Sequence, residues 1–314
     1  MEPDDYSSVI PAGWFAVLLR AGWEGEVVQS TLQQDDLPSG VEGIRLRRHG
    51  CHPEGRHDAG GDQGNAPYLI HMTLARPEKR NAISLAMWRA LPSLLQQLAA
   101  DDRLRGLMLS GEGEHFSAGA DISEFEQVRA DAEQARAYED AVDAGCDALF
   151  EFPRPTIAAV RGFCMGGACH VAMSCDLRIA APDAVFAIPA ARLSIVYGVS
   201  ATRKLMSLVG VSNAKRILYS AGRFDATEAL RIGFVNELAD DPQAAAAALM
   251  DTLAANAPLT IAGAKVLLNG LASGSGALDP LQADAVIDRA VSSADYLESV
   301  RAFRAKRAPR FEGR

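Results

Sequence analysis

Two glycine-bearing turns hold the groups best placed to do chemistry in this chain. The first is His115-Phe-Ser-Ala-Gly-Ala-Asp-Ile, residues 115–122, and the second is Arg161-Gly-Phe-Cys-Met-Gly-Gly-Ala-Cys-His, residues 161–170. Each follows an apolar strand-like run, Leu107–Leu109 for the first and Thr156–Val160 for the second, and each opens a helical pattern. Such a turn leaves backbone N–H groups unpaired at a helix N-terminus, where they favour negative charge. Two of these groups converging on one point would make an oxyanion hole. One turn alone reads as an ordinary strand-to-helix connection; the pair points to chemistry. Neither is a phosphate loop, because no Gly-Lys-Ser/Thr follows, and Gly111 and Gly113 lead to Phe116 where a dinucleotide fingerprint needs glycine. Asp121 reads as an N-cap, and Glu124 three residues on completes a capping-box-like pair.

The elements that must position these turns begin near residue 67. Expected strands are Gly43–His49, Tyr68–Ala75, Gly106–Ser110, Thr156–Arg161, Leu177–Ala180 and Phe234–Leu238. The first two form a hairpin interrupted by an insert at 50–65, rich in Gly, His and Asp, which reads as an exposed loop or a disordered segment. Helices are expected at Leu85–Ala100, Ile122–Phe152, Gly167–Ser174, Ala201–Leu208, Ser212–Ala221, Ala226–Ile232 and over much of 242–307. Alternating strands and helices predict an α/β core with parallel strands. The organisation is an irregular N-terminal extension at 1–42, a core at 43–241 containing the insert, and a helical C-terminal region at 242–314. The extension is expected to be poorly ordered and to play no part in catalysis.

Composition narrows the function. The 314 residues are 48% hydrophobic and 23% charged, enough apolar material for a sizeable core. A net charge of −9 argues against a general nucleic-acid or anionic-membrane binder. The apolar stretch Val9–Leu19 is too short to span a bilayer and follows Met-Glu-Pro-Asp-Asp, without the basic residues of a secretory signal. The five cysteines, at 51, 146, 164, 169 and 175, fit free thiols in a reducing, cytoplasmic setting. Their spacing matches no zinc pattern, and a metal site among His49, Cys51, His52 and His57 is not expected.

Six segments, in order, resemble the enoyl-CoA hydratase/isomerase (crotonase) family. They are Leu74-Ala-Arg-Pro-Glu-Lys-Arg-Asn-Ala, Phe116-Ser-Ala-Gly-Ala-Asp-Ile, Ile157-Ala-Ala-Val-Arg-Gly-Phe-Cys-Met-Gly-Gly, Ala172-Met-Ser-Cys-Asp-Leu-Arg-Ile-Ala, Ala226-Thr-Glu-Ala-Leu-Arg-Ile-Gly-Phe-Val-Asn and Ala302-Phe-Arg-Ala-Lys-Arg-Ala-Pro-Arg-Phe. The resemblance implies a spiral of ββα units, a helical trimerisation region giving a homotrimer or dimer of trimers, and a coenzyme A thioester as substrate with no separate cofactor. It places the two oxyanion donors at the backbone N–H groups of Ala120 and Gly167. It puts Lys79 and Arg80 near the coenzyme A phosphates, although both also read as a solvated loop. Ala82, Ala118, Asp121, Ile122 and Arg192 join them along the substrate-binding surface.

The departures from the family matter as much as the match. The two glutamates of the family's hydratases fall on His170 and Ala190. Ala190 cannot move protons, so hydration by paired carboxylates is unsupported. His170, with an ordinary pKa of about 6.5, could serve as acid or base. Arg192 and Tyr197 could orient a substrate carboxylate or hydroxyl, or be a structural ion pair and a packed aromatic. Hydration by an altered site, a double-bond shift, decarboxylation, thioester hydrolysis and a non-catalytic acyl-CoA-binding subunit all remain open readings.

Overall fold

A computed structural model describes residues 34–51, 66–274 and 276–314. The strands are β1 (Gln34–Leu37), β2 (Ile44–Gly50), β3 (Tyr68–Leu74), β4 (Leu104–Gly111), β5 (Thr156–Val160), β6 (Phe163–Met165), β7 (Leu177–Ala180), β8 (Val185–Ala187), β9 (Arg223–Asp225) and β10 (Glu237–Leu238). The helices are α1 (Leu85–Ala99), α2 (Phe125–Val128), α3 (Ala132–Phe150), α4 (Gly167–Ser174), α5 (Val199–Ser220), α6 (Ala226–Arg231), α7 (Pro242–Ala254), α8 (Pro258–Ala272), α9 (Pro280–Val291) and α10 (Ala294–Arg304).

Seven strands form one sheet in the order β1-β2-β3-β4-β5-β7-β10. β3, β4, β5, β7 and β10 run parallel, as the strand–helix alternation predicts. β2 and β3 pair antiparallel from Ile44 opposite Leu74 to Gly50 opposite Tyr68. This is the expected hairpin. Gly50 ends β2, and buried Cys51 donates its N–H to the Pro67 carbonyl at 3.1 Å. Residues 52–65 of the insert lie outside the described residues, as do residues 1–33 of the extension. Within the part of the extension that is described, β1 pairs with β2. Gln34-Asp-Asp-Leu lacks the alternation that marks a strand, so only its partner reveals it.

β4 and β5 are buried along their whole length, which explains their continuous apolar runs. The larger core packs on one side of the sheet around Trp88, Phe116, Phe152 and Phe234. A smaller cluster lies between Met108, Ile157, Ile179 and the α7 residues Ala246 and Met250.

Two expectations about helices need correction. The helix expected over 122–152 is three pieces: a 3-10 turn at Ile122–Glu124, then α2, then α3. Arg129 leaves the helical region, and Asp131 restarts it by accepting the Gln134 N–H at 2.8 Å. Glu124 does not close a capping box on its own turn; its Oε2 accepts the Leu85 N–H at 2.9 Å and so caps α1. The two helices expected at 201–208 and 212–221 are the two halves of α5, separated where Gly210 leaves the helical region at φ 72° and ψ 163°. The C-terminal region is helical as expected. Lys265 of α8 reaches Asp176 Oδ2 at 2.9 Å, and Asp176 also accepts from the Thr156 N–H and hydroxyl. Among the described residues no single helix is long and apolar enough to cross a membrane.

Candidate active site

A second, three-stranded sheet holds the two glycine turns together. β6 pairs parallel with β8, and β8 antiparallel with β9. The segment 116–121 threads between this sheet and the loop 76–83. Phe116 N–H donates to Arg161 O, Ser117 N–H to Phe163 O and Met165 N–H to Ser117 O. On its other side, Ala118 N–H donates to Arg80 O, Ile83 N–H to Gly119 O and Asp121 N–H to Ile83 O. Asn81, fully buried, pins the loops with its side chain. It donates to the carbonyls of Glu112 and His115 and accepts from the Arg76 N–H.

This threading brings Ala120 and Gly167 side by side. Ala120 N lies 3.5 Å from where a Cβ on Gly167 would sit. Gly167 N lies 3.2 Å from where a Cβ on Gly119 would sit. That same Cβ on Gly119 would fall 2.3 Å from the Met165 carbonyl, and φ is +91°, so only glycine fits. Gly167 is the first residue of α4, following Gly166 at φ 52° and ψ −113°. Among the described residues neither the Ala120 nor the Gly167 N–H has a hydrogen-bond acceptor. Both residues are half-buried. The indole edge of Trp88 lies under Gly167, 3.2 Å from the same Cβ position. Two unpaired donors at a helix N-terminus can hold an oxygen that carries developing negative charge.

Asp121 is almost fully buried and gathers the cations of the first loop. Its Oδ2 accepts from Arg76 Nη2 and from Lys79 Nζ, both at 2.9 Å. Burial pushes its proton affinity up, but hydrogen bonds from Ser123, Lys79 and Arg76 outweigh that and hold the carboxyl well below its usual range. Lys79 is thus spoken for, though its side chain is still 43% exposed. Arg80 is exposed and lies 5.8 Å over the Phe163 ring. Arg223 lies 5.6 Å over the same ring, so two cations flank it. Ala82 is buried, its carbonyl accepting from Arg76 Nη1; Ala118 is half-buried; Ile122 is 61% exposed beside the turn.

His170 sits one helical turn beyond Gly167 and is 2% exposed. Burial, reinforced by the Lys204 ammonium, lowers its pKa to about 3, so the ring is neutral at ordinary pH. Its Nε2 lies 3.4 Å from Lys204 Nζ, and its Nδ1 lies 3.9 Å from Asp143 Oδ1. Tyr197 stands 6.1 Å from the His170 ring, and its buried hydroxyl has no hydrogen-bond partner among the described residues. Ala190, 8% exposed, opens a 3-10 turn that ends at Arg192. Arg192 is exposed.

Trp88, Asn81, Asp143 and Lys204 were not among the residues expected from sequence. Asp143 and Asp147 are four apart on α3 and share a face, a spacing visible in the sequence. Lys204 comes from a helix far along the chain, and no local pattern ties it to His170.

An α/β spiral with two amide donors meeting at a helix N-terminus defines a class of anion-stabilising enzymes. Residues 65–314 match the family model described as Enoyl-CoA hydratase/isomerase, and the chain belongs to that family. It is 33% identical over 290 residues to the human Enoyl-CoA hydratase domain-containing protein 2, mitochondrial, covering 86% of this chain and 96% of that one. It is 33% identical over 201 residues to the Short-chain-enoyl-CoA hydratase of Clostridium acetobutylicum, covering 63% of this chain and 76% of that one. Among solved structures, an enoyl-CoA hydratase/carnithine racemase from Magnetospirillum magneticum superposes with a TM-score of 0.77. The two are 32% identical, with 87% of this chain and 97% of that one covered.

Proposed function

We propose that the chain acts on acyl-CoA thioesters, with the thioester oxygen held between the N–H groups of Ala120 and Gly167. The observation that carries this reading is the approach of those two unpaired amides at the start of α4. As an enolate forms, charge moves onto the thioester oxygen, and preorganised donors there lower the barrier. Enolate chemistry on a thioester draws on no separate cofactor. Arg80 and Lys79 stand at the rim where coenzyme A phosphates would approach, with Ala82, Ala118, Asp121 and Ile122 around them. Arg192 and Tyr197 would orient a carboxylate or hydroxyl of the substrate. The setting is a cytoplasmic one.

The reaction is a proton transfer, decarboxylation or acyl transfer that needs the oxygen site more than a carboxylate pair, because residues 170 and 190 are His and Ala. The same replacements favour a second reading, a subunit that binds acyl-CoA without turning it over. Crotonyl-CoA, a 3-enoyl-CoA and methylmalonyl-CoA separate the two readings. Turnover of any one supports an enzyme; binding of all three without turnover supports the second reading. No binding of any would overturn both.

Assembly into a homotrimer or dimer of trimers fits the C-terminal helices. Leu268 and Leu271 of α8 and Leu281 of α9 are 66%, 68% and 77% exposed, a costly arrangement for a lone chain. Light scattering of the purified protein measures this directly, and a monomer would refute it.

A further inference from the structure

The thioester site needs a group that moves protons, and His170 and Ala190 bring no carboxylate to it. α3 supplies one from outside. Asp143 and Asp147 share a helix face. Asp147 is committed to structure: its Oδ1 accepts from Lys204 Nζ at 2.7 Å and from the Ser200 hydroxyl at 2.6 Å. Asp143 makes no hydrogen bond among the described residues, and its side chain is 35% exposed. Its oxygens lie 3.3 and 3.5 Å from where a Cβ on Gly198 would sit. Glycine at 198 therefore leaves the carboxylate uncovered. A half-buried carboxylate kept without a hydrogen bond is costly, and such groups persist where chemistry uses them.

Lys204 settles how His170 faces Asp143. An ammonium only donates, so His170 Nε2 is the acceptor, and the single proton of the neutral ring sits on Nδ1. Nδ1 is the nitrogen turned toward Asp143. His170 therefore turns its ring N–H toward the carboxylate, which at 3.9 Å lies beyond hydrogen-bond length. Around Asp143, burial together with Asp147, Glu139 and Asp140 of its own helix raises its proton affinity, and Lys204 of α5 opposes them. The net shift is upward, toward a group that can both take and return a proton.

We propose that Asp143, beside His170, is the proton-transferring residue of this site, and that it shifts a double bond in a 3-enoyl thioester. The proposal rests on the acyl-thioester reading above. The Asp143 carboxylate takes a proton from C2, and the C–H electron pair forms a C1–C2 double bond while the thioester oxygen takes the charge. That oxygen lies between the Ala120 and Gly167 amides. The charge then returns, the C2–C3 double bond forms, and the C3–C4 π pair takes the proton back from Asp143 at C4. No proton, water or electron is consumed overall, so one carboxylate suffices.

The test measures conversion of 3-hexenoyl-CoA to its 2-enoyl isomer, and binding of unreactive butyryl-CoA, for the wild type and Asp143→Asn. Asp143→Asn is expected to lower kcat by about 100-fold or more, with the Kd for butyryl-CoA within about threefold. Gly198→Ala leaves Asp143 in place but covers it, and is expected to lower kcat by about tenfold or more with the fold intact. Unchanged kcat in either folded variant would overturn the proposal. So would a wild type that binds butyryl-CoA without converting 3-hexenoyl-CoA. A wild type that does not bind butyryl-CoA would overturn the acyl-thioester reading itself, and this proposal with it.

Discussion

Gly167 N stands 3.2 Å from the place a side chain on Gly119 would fill, and so the two glycine turns meet through their backbones alone. The site's shape is therefore set by backbone conformation, and it is most sensitive to changes that alter the backbone.

Gly167→Pro removes one donor. Proline is tolerated at the first position of a helix, where no intrahelical bond is lost. Turnover of the active thioester is expected to fall by about 10² to 10³-fold, the usual cost of losing one such donor. Circular dichroism should show the fold retained. A folded variant with full activity would contradict the assignment of this amide.

Gly119→Ala should damage stability. The new Cβ would meet the Met165 carbonyl at 2.3 Å, in a φ region that side chains disfavour. Left-handed strain costs of order 1–3 kcal/mol, and the clash with backbone adds to it. A fall in Tm of roughly 4 °C or more is expected at about 2–4 °C per kcal/mol for a chain of this size. An unchanged Tm would mean the turn can relax.

Asp121→Asn leaves Arg76 and Lys79 without their shared carboxylate. Both cations keep some contact with water, so the loss should be about 2 kcal/mol, below the 3–5 kcal/mol of a fully buried pair. The folded carboxyl titrates below its unfolded value of about 3.9. Its contribution is thus present above that pH and is lost as the pH falls further. Tm measured from pH 6 down to 2 should fall less steeply for the variant than for the wild type. Parallel curves would show that Asp121 holds little of the acid-side stability.

His170 acts in the opposite range. It is neutral when folded, with a pKa of about 3, and ordinary when unfolded. Below pH 6.5 the unfolded chain binds the extra proton, so stability drops as the pH falls toward 3, by up to about 1.4 kcal/mol per pH unit. Urea unfolding of His170→Gln should show a flatter pH dependence between 6.5 and 4. A slope equal to that of the wild type would mean that His170 is protonated in the fold.

Much of the fold is legible in the sequence because burial leaves a mark on it. β4 and β5, buried throughout, appear as unbroken apolar runs, and the β2–β3 hairpin shows through its alternation. The strands β6, β8 and β9 leave no such mark, since three residues are too few to show a period. Yet these strands bind the two turns into one site. The turns themselves are legible because positive φ and close backbone contact demand glycine at 119 and 166. The side chains around His170 are not, because Asp143, Gly198 and Lys204 come together only through the packing of α3 and α5 against α4. Lys79 could be read from sequence as a cation facing a ligand; its contact with Asp121 became apparent only when the loop closed on the neighbouring turn.

The central claim is that the amides of Ala120 and Gly167 hold a thioester oxygen. A crystal structure with bound butyryl-CoA tests it most directly. The account predicts the thioester oxygen within about 3.1 Å of both nitrogens, the reach of an oxyanion donor. An oxygen turned toward solvent, or bonded to neither amide, would contradict it.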